Sequence, residues 1–213
     1  DLVDAPNAKV LPPIKGHVQF DRVSFRYLPD VPVLNDVSIA IPPGETLAIV
    51  GPTGAGKTTI VALIARFYDI TQGRITVDGY DLRDITRASL ASQMSLVLQE
   101  PFLYSNTVSD NIRFAHREAT QEEIETATKA LGAHDFIVRL PLGYDTVLHE
   151  RGSNLSVGQR QLIAFARALV ANPRILILDE ATANVDSYTE RLIQNALKEL
   201  LRGQLNDDDD GEG

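Results

Sequence analysis

One stretch limits this chain more than any other. Between an apolar run, Thr46-Leu47-Ala48-Ile49-Val50, and a segment with Ile60, Leu63, Ile64 and Phe67 at helical spacing lies Gly51-Pro52-Thr53-Gly54-Ala55-Gly56-Lys57-Thr58. This is the G-x-x-x-x-G-K-[ST] pattern, placed between a predicted strand and a predicted helix as its mechanism requires. The glycines let the backbone wrap an anion with its N–H groups, and a helix opening near Gly56 aims its positive end at the same anion. Lys57 is placed to reach the outer phosphates of a nucleotide, and the Thr58 hydroxyl to face Mg²⁺. Gly51 through Thr58, with Thr59 behind them, form the candidate phosphate-binding set.

A second run, Ile175-Leu176-Ile177-Leu178, reads as a strand covered on both faces and ends in Asp179-Glu180. Carboxylates at the C-terminal end of such a strand sit where open α/β sheets bind ligands. Asp179 is thus a candidate Mg²⁺ ligand through water, and Glu180 the candidate to polarise an attacking water.

The rest of the chain frames these two motifs. Val18, Phe20, Val23, Phe25 and Tyr27 alternate with polar neighbours, and Val33–Ile41 does so again, which predicts an antiparallel β layer with turns at Pro29-Asp30 and Pro42-Pro43-Gly44. Gly73–Gly79 and Met94–Leu98 enclose two further short strands. Residues 106–170 read as mostly helical, with Thr120-Gln121-Glu122-Glu123 as a capping box, and a last helix is predicted from about Ser187 to Leu201. The fold class is α/β: a mixed sheet core formed by residues 17–105 and 171–203, the antiparallel layer before it, and an inserted helical subdomain over 106–170. Residues 1–16, with Pro6, Pro12 and Pro13, read as an extended linker, and 204–213 (QLNDDDDGEG) as a disordered acidic tail.

Composition excludes other chemistries. There is no cysteine, so no disulfide, thiolate zinc site or thiol nucleophile. The formal net charge of −9 argues against nucleic acid as a partner. The longest apolar run, Ile60–Ala65, is six residues, against the roughly 20 that a membrane-spanning helix needs.

Leu155-Ser156-Val157-Gly158-Gln159, followed by Arg160-Gln161, opens a helix, with Ser156 as N-cap and Gln159 at N3, so its first amides make a second anion site. This segment resembles the L-S-G-G-Q signature of ABC transporter ATPases. In combination with the phosphate loop (Walker A) and Asp179-Glu180 (Walker B), the resemblance runs from Val18 to about Leu201. It implies a P-loop NTPase that binds ATP with Mg²⁺. It also implies that Tyr27 stacks on adenine, that Gln99 touches Mg²⁺ and senses a transmembrane partner, and that Ser156, Gly158 and Gln159 contact the ATP held by a second copy. Glu150-Arg151-Gly152 resembles the segment of exporter-type members, and Ala183-Asn184-Val185-Asp186 the D-loop.

Val157 departs from the signature, which has glycine there; as the first helical residue it takes negative φ, and valine is tolerated. Family members also continue past Leu201 through a strand carrying a switch histidine. The resemblance places that strand between Thr46–Val50 and Ile175–Leu178. His17, His116, His134 and His149 all precede Asp179, so none is that histidine. The reading is a C-terminally truncated ATP-hydrolysing domain of an exporter-type transporter, at the cytoplasmic face of a membrane. It would be attached to a transmembrane domain of its parent chain and paired with a second nucleotide-binding domain in a homo- or heterodimer. The alternatives are an ATP-binding module without turnover and a soluble ABC-type ATPase.

Overall fold

The structure, a computed structural model, describes residues 2–179 and 186–206. It divides into two compact units, residues 1–94 and 95–213.

The first unit is built on a four-stranded antiparallel sheet of order β2-β1-β3-β4, from β1 (Val18–Leu28), β2 (Val31–Ile41), β3 (Gln72–Val77) and β4 (Tyr80–Asp81). The alternation read in the sequence is real but changes phase. Val18 and Phe20 are buried, then Val23 and Phe25, because the register of β1 against β3 shifts between Asp21 and Ser24. Arg22 sits there at φ 47°, and Gly73 across from it at φ 87°. A side chain on Gly73 would run into the Arg22 carbonyl, so the irregularity needs glycine on the facing strand.

Helix α1 (Lys57–Ile64) follows the phosphate loop and buries Ile60, Leu63 and Ile64; α2 (Arg87–Ala91) buries Leu90. Residues 46–50 correct the sequence reading. They form no strand, and Leu47 (46%), Ile49 (36%) and Val50 (88%) are exposed. Apolar β-branched residues favour an extended chain, but a strand exists only through its ladder, and no described strand pairs with this one.

Residues 2–16 are extended, as expected of a linker, yet they are fastened along the unit. The Lys9 amide donates to the Asp84 carbonyl (2.8 Å), and the Thr86 amide to the Lys9 carbonyl (2.8 Å). The Leu11 amide donates to Ser89 Oγ (2.9 Å) and the Ile14 amide to Gln93 Oε1 (2.9 Å), with both side chains buried.

The second unit holds all but the first residue of β5 (Met94–Val97), paired with β6 (Ile175–Leu178), and the helices α3 (Val108–Ile112), α4 (Gln121–Ala130), α5 (His134–Val138), α6 (Val157–Ala171) and α7 (Ser187–Asn206). Helix α6 is its axis: Leu162, Ile163, Ala164, Phe165, Ala166, Ala168 and Val170 are all buried, and α3, α4 and α7 pack against it. It stops at Asn172, left-handed at φ 42°, with Pro173 next to prevent continuation. The Thr120 capping box is complete, with the Thr120 amide donating to Glu123 Oε2 (2.7 Å) and the Glu123 amide to Thr120 Oγ1 (3.2 Å). Helix α7 runs past the expected end near Leu201 and through Gly203 to Asn206. Residues 207–213, most of the expected acidic tail, lie outside the described residues.

Candidate functional site

In the first unit, Gly54 (φ 84°) and Gly56 (φ 87°) both take left-handed backbone, which bends the loop into the start of α1. Gly56 is the helix N-cap; a side chain there would meet Leu34 Cδ2 at 2.9 Å. The Ala55 amide donates to the Pro52 carbonyl (3.1 Å). The amides of Thr53, Gly54 and Gly56 meet no protein acceptor among the described residues. Gly51 through Ala55 are exposed, as is Thr58, so the cradle faces solvent. The Lys57 ammonium folds back over it, donating to the carbonyls of Gly51 (2.6 Å) and Pro52 (3.0 Å). These are neutral acceptors, and a phosphate in the same place offers the ammonium a charged one.

Tyr27 and Thr59, both expected site residues, are brought together: Tyr27 Oη and Thr59 Oγ1 lie 3.2 Å apart. Thr59 is buried, and Tyr27 is 47% exposed. The ring is held edge-on by Phe25 (centroids 4.8 Å apart) and by Tyr68 (5.0 Å), at the level of the first turn of α1.

In the second unit, Asp179 follows β6 directly, and its amide donates to the Val97 carbonyl (2.9 Å) at the end of β5. Gln99, exposed, lies two residues beyond Val97. Buried Gln161 of α6 donates to the Leu98 carbonyl (3.2 Å), which ties the signature helix to the backbone just before Gln99. Glu180 and Ala183–Val185 lie outside the described residues.

The signature opens α6 as the sequence implied. Ser156 Oγ accepts from the Gln159 amide (3.2 Å), and Gln159 Oε1 from the Ser156 amide (3.0 Å). Val157 is the first helical residue, its φ is not positive, and its side chain is 43% exposed. A side chain on Gly158 would meet nothing within 4 Å, so this helix end is open. The turn before it is tightly fixed. Arg151 (φ 55°) and Gly152 (φ 68°) are left-handed, and a side chain on Gly152 would meet Leu103 Cδ1 at 2.9 Å. Asp186 caps α7, accepting from the amides of Tyr188 and Thr189 (both 3.0 Å) and from the Thr189 hydroxyl (2.6 Å). The Thr189 hydrogen bonds hold its carboxyl below the usual range.

Sequence reasoning missed a polar hub. Arg167, on the buried α6, donates to the carbonyls of Asn111 (2.8 Å) and Phe102 (3.0 Å) and to Asn111 Oδ1 (3.2 Å). Burial lowers its pKa. Asn111 in turn accepts from the Tyr104 amide (2.8 Å) and donates to the Tyr104 carbonyl (2.9 Å). The hub holds Phe102, Tyr104 and Phe114 as an exposed aromatic face, with Tyr104 and Phe114 stacked at 4.4 Å and Arg167 beneath both rings. The signal was a lone arginine in the apolar run Ile163–Val170.

A loop with left-handed glycines ahead of a two-turn helix, a carboxylate following a strand and a capped glycine-containing helix start are features found together in P-loop nucleotide-binding proteins. The ABC transporter family model matches residues 34–183, and the chain belongs to that family. It is 52% identical over 204 residues to the uncharacterized ABC transporter ATP-binding protein YknV of Bacillus subtilis (strain 168), covering 96% of this chain and 34% of that protein. It is 48% identical over 207 residues to a fatty acid ABC transporter ATP-binding/permease protein of Mycobacterium bovis, covering 95% and 33%. A solved structure of a bacterial Atm1-family ABC exporter with ATP bound superimposes with a TM-score of 0.89 at 42% identity, covering 94% of this chain and 35% of that one. The chain thus spans about a third of the length of these relatives. Among the described residues no helix is long and apolar enough to cross a membrane.

Proposed function

We propose that this chain is the ATP-binding and ATP-hydrolysing domain of an exporter-type ABC transporter. It would work at the cytoplasmic face of a membrane on a transmembrane domain of the same parent chain. The observation that supports the reading is the glycine-rich loop, where Gly54 and Gly56 are left-handed and the amides of Thr53, Gly54 and Gly56 meet no protein acceptor among the described residues, as an anion site needs. Tyr27, bonded to Thr59 at the first turn of α1, takes the adenine, and Gly51 to Thr59 take the phosphates.

The donors fit Mg²⁺. Thr58, Gln99 and Asp179 offer hard oxygen atoms, and the described residues gather no cluster of three or more acids or histidines. An ion that takes most of its ligands from phosphates and water needs few from protein. When bound, it neutralises charge on the phosphate oxygens. Lys57 stabilises charge on the transferred phosphoryl, and Glu180 orients the attacking water in line. Two copies pair head to tail, so that Gly51–Thr58 of one faces Ser156–Gln159 of the other and two helix starts enclose each γ-phosphate. Gln99 passes closure to the transmembrane part.

A second reading, ATP binding without turnover by residues 1–213 alone, is favoured by the unpaired and exposed 46–50 segment. Mg²⁺-ATPase assays separate the two. The full-length protein hydrolyses ATP and Glu180→Gln abolishes turnover while ATP still binds; turnover surviving that substitution refutes the assigned role. Turnover in residues 1–213 alone refutes the second reading.

A further inference from the structure

The far end of α1 from the phosphate loop is held by a buried cation that the reaction does not use. Arg66, two residues past the helix, is left-handed at φ 52°, and its side chain is 3% exposed. Its guanidinium donates to the Ile85 carbonyl (2.5 Å) and pairs with Asp69 (3.4 Å) and Asp4 (3.3 Å). Asp4 also accepts from the Arg87 amide through both oxygens (3.2 Å each) and meets the Arg87 side chain at 3.6 Å. A buried guanidinium depends on such partners, because an uncompensated charge is costly inside a protein.

Asp4 belongs to the extended N-terminal segment. Downstream of it, Asp78 accepts from the amides of Lys15, Gly16 and His17 (2.5–3.1 Å). Asp4 and Asp78 thus anchor two points of one strap, and of the two only Asp4 touches Arg66, just past the end of α1. A two-turn helix of eight residues is about 12 Å long and moves as a rod, so a shift at Arg66 reaches Lys57 and Thr58.

We propose that Arg66 is a positioning residue for the nucleotide reaction, and that the Asp4–Arg66 ion pair couples the chain segment before the ATP-binding unit to the phosphate-binding helix. The inference deepens the ATP-binding reading and rests on it for one of its two readouts.

The test compares Asp4→Ala with Asp78→Ala in the full-length protein, with Asp4→Asn as the conservative variant that keeps an acceptor for Arg87 and removes the charge beside Arg66. The first readout, hydrogen exchange of the α1 amides, needs no nucleotide. The second is the Kd for ATP. Asp4→Ala should speed exchange across α1 about tenfold and weaken ATP about fivefold. Asp4→Asn should shift both in the same direction, and Asp78→Ala should leave both unchanged. Unchanged exchange in both Asp4 variants, or equal effects of Asp4→Ala and Asp78→Ala, overturns the inference. Failure of the unaltered protein to bind ATP instead overturns the functional reading, and the exchange comparison still decides the ion pair's role.

Discussion

Replacing Gly56 by alanine tests whether the phosphate loop is preset as its backbone implies. Gly54 and Gly56 share the left-handed conformation, at φ 84° and 87°, so alanine at either costs about 1–2 kcal/mol from backbone alone. They differ in what surrounds the new methyl group. At Gly54 nothing lies within 4 Å, while at Gly56 the methyl meets Leu34 Cδ2 at 2.9 Å, and Leu34 is 6% exposed. Overpacking a closed site adds about 1–3 kcal/mol. For a chain of 213 residues 1 kcal/mol is worth about 2–4 °C in melting temperature. Gly54→Ala should therefore lower Tm by roughly 5 °C, and Gly56→Ala by roughly 10 °C. Scanning calorimetry of both variants without nucleotide measures the difference. Leu34→Val, which shortens the offending side chain, should destabilise alone yet recover part of the loss in the Gly56→Ala background, a non-additivity expected of residues in contact. Equal melting of the two glycine variants, or strict additivity with Leu34→Val, refutes the reasoning.

Two further outcomes follow from the capped helices and the charged turn. Ser156→Ala removes half of the α6 capping box and should cost about 1 kcal/mol. Ser156→Asp keeps the cap but sets a carboxylate against the proposed anion site, so Tm should hold while the proposed ATP-dependent pairing of two copies, followed by light scattering, is lost. Asp81 is nearly buried, and burial opposes its charge, but hydrogen bonds from Arg83 and the charges of Arg83 and Arg74 outweigh this and hold its carboxyl below the ordinary value. The folded protein therefore binds fewer protons there than the unfolded chain. The stabilisation is fully present above the ordinary carboxylate pKa of about 4 and is lost as pH falls through the depressed folded value. Glu123 and Asp186 act with the same sign. Asp81→Asn should flatten the acid limb of Tm against pH; an unchanged limb contradicts the assignment.

What the sequence disclosed was local. The boxes at Thr120 and Ser156, the start of α6 at Val157 and the β1–β2 pair each depend on residues a few positions apart, and each formed where it was read. The glycine-rich loop is equally local, which is why its glycines and Lys57 could be read from sequence as a candidate site. What stayed hidden depends on partners distant in sequence. Residues 46–50 have the composition of a core strand, but a ladder needs a neighbour that their own pattern does not contain. The segment 2–16 has no period, because it is fastened by scattered single groups, Ser89 and Gln93 among them, 78 and 79 residues from the amides they hold. Arg167 and Asn111 are 56 positions apart, and only the folded helices make them one hub.

The central claim is that the loop at Gly51–Thr58 grips a triphosphate through Lys57. Isothermal titration of ATP into the protein and its Lys57→Ala variant tests it most directly. The ammonium exchanges two carbonyl contacts for phosphate oxygens, and a charge-assisted bond of about 1.5–3 kcal/mol makes ATP binding roughly tenfold to a hundredfold weaker without it. AMP, which lacks the outer phosphates, should bind both proteins alike. Equal affinity of the two proteins for ATP would contradict the account.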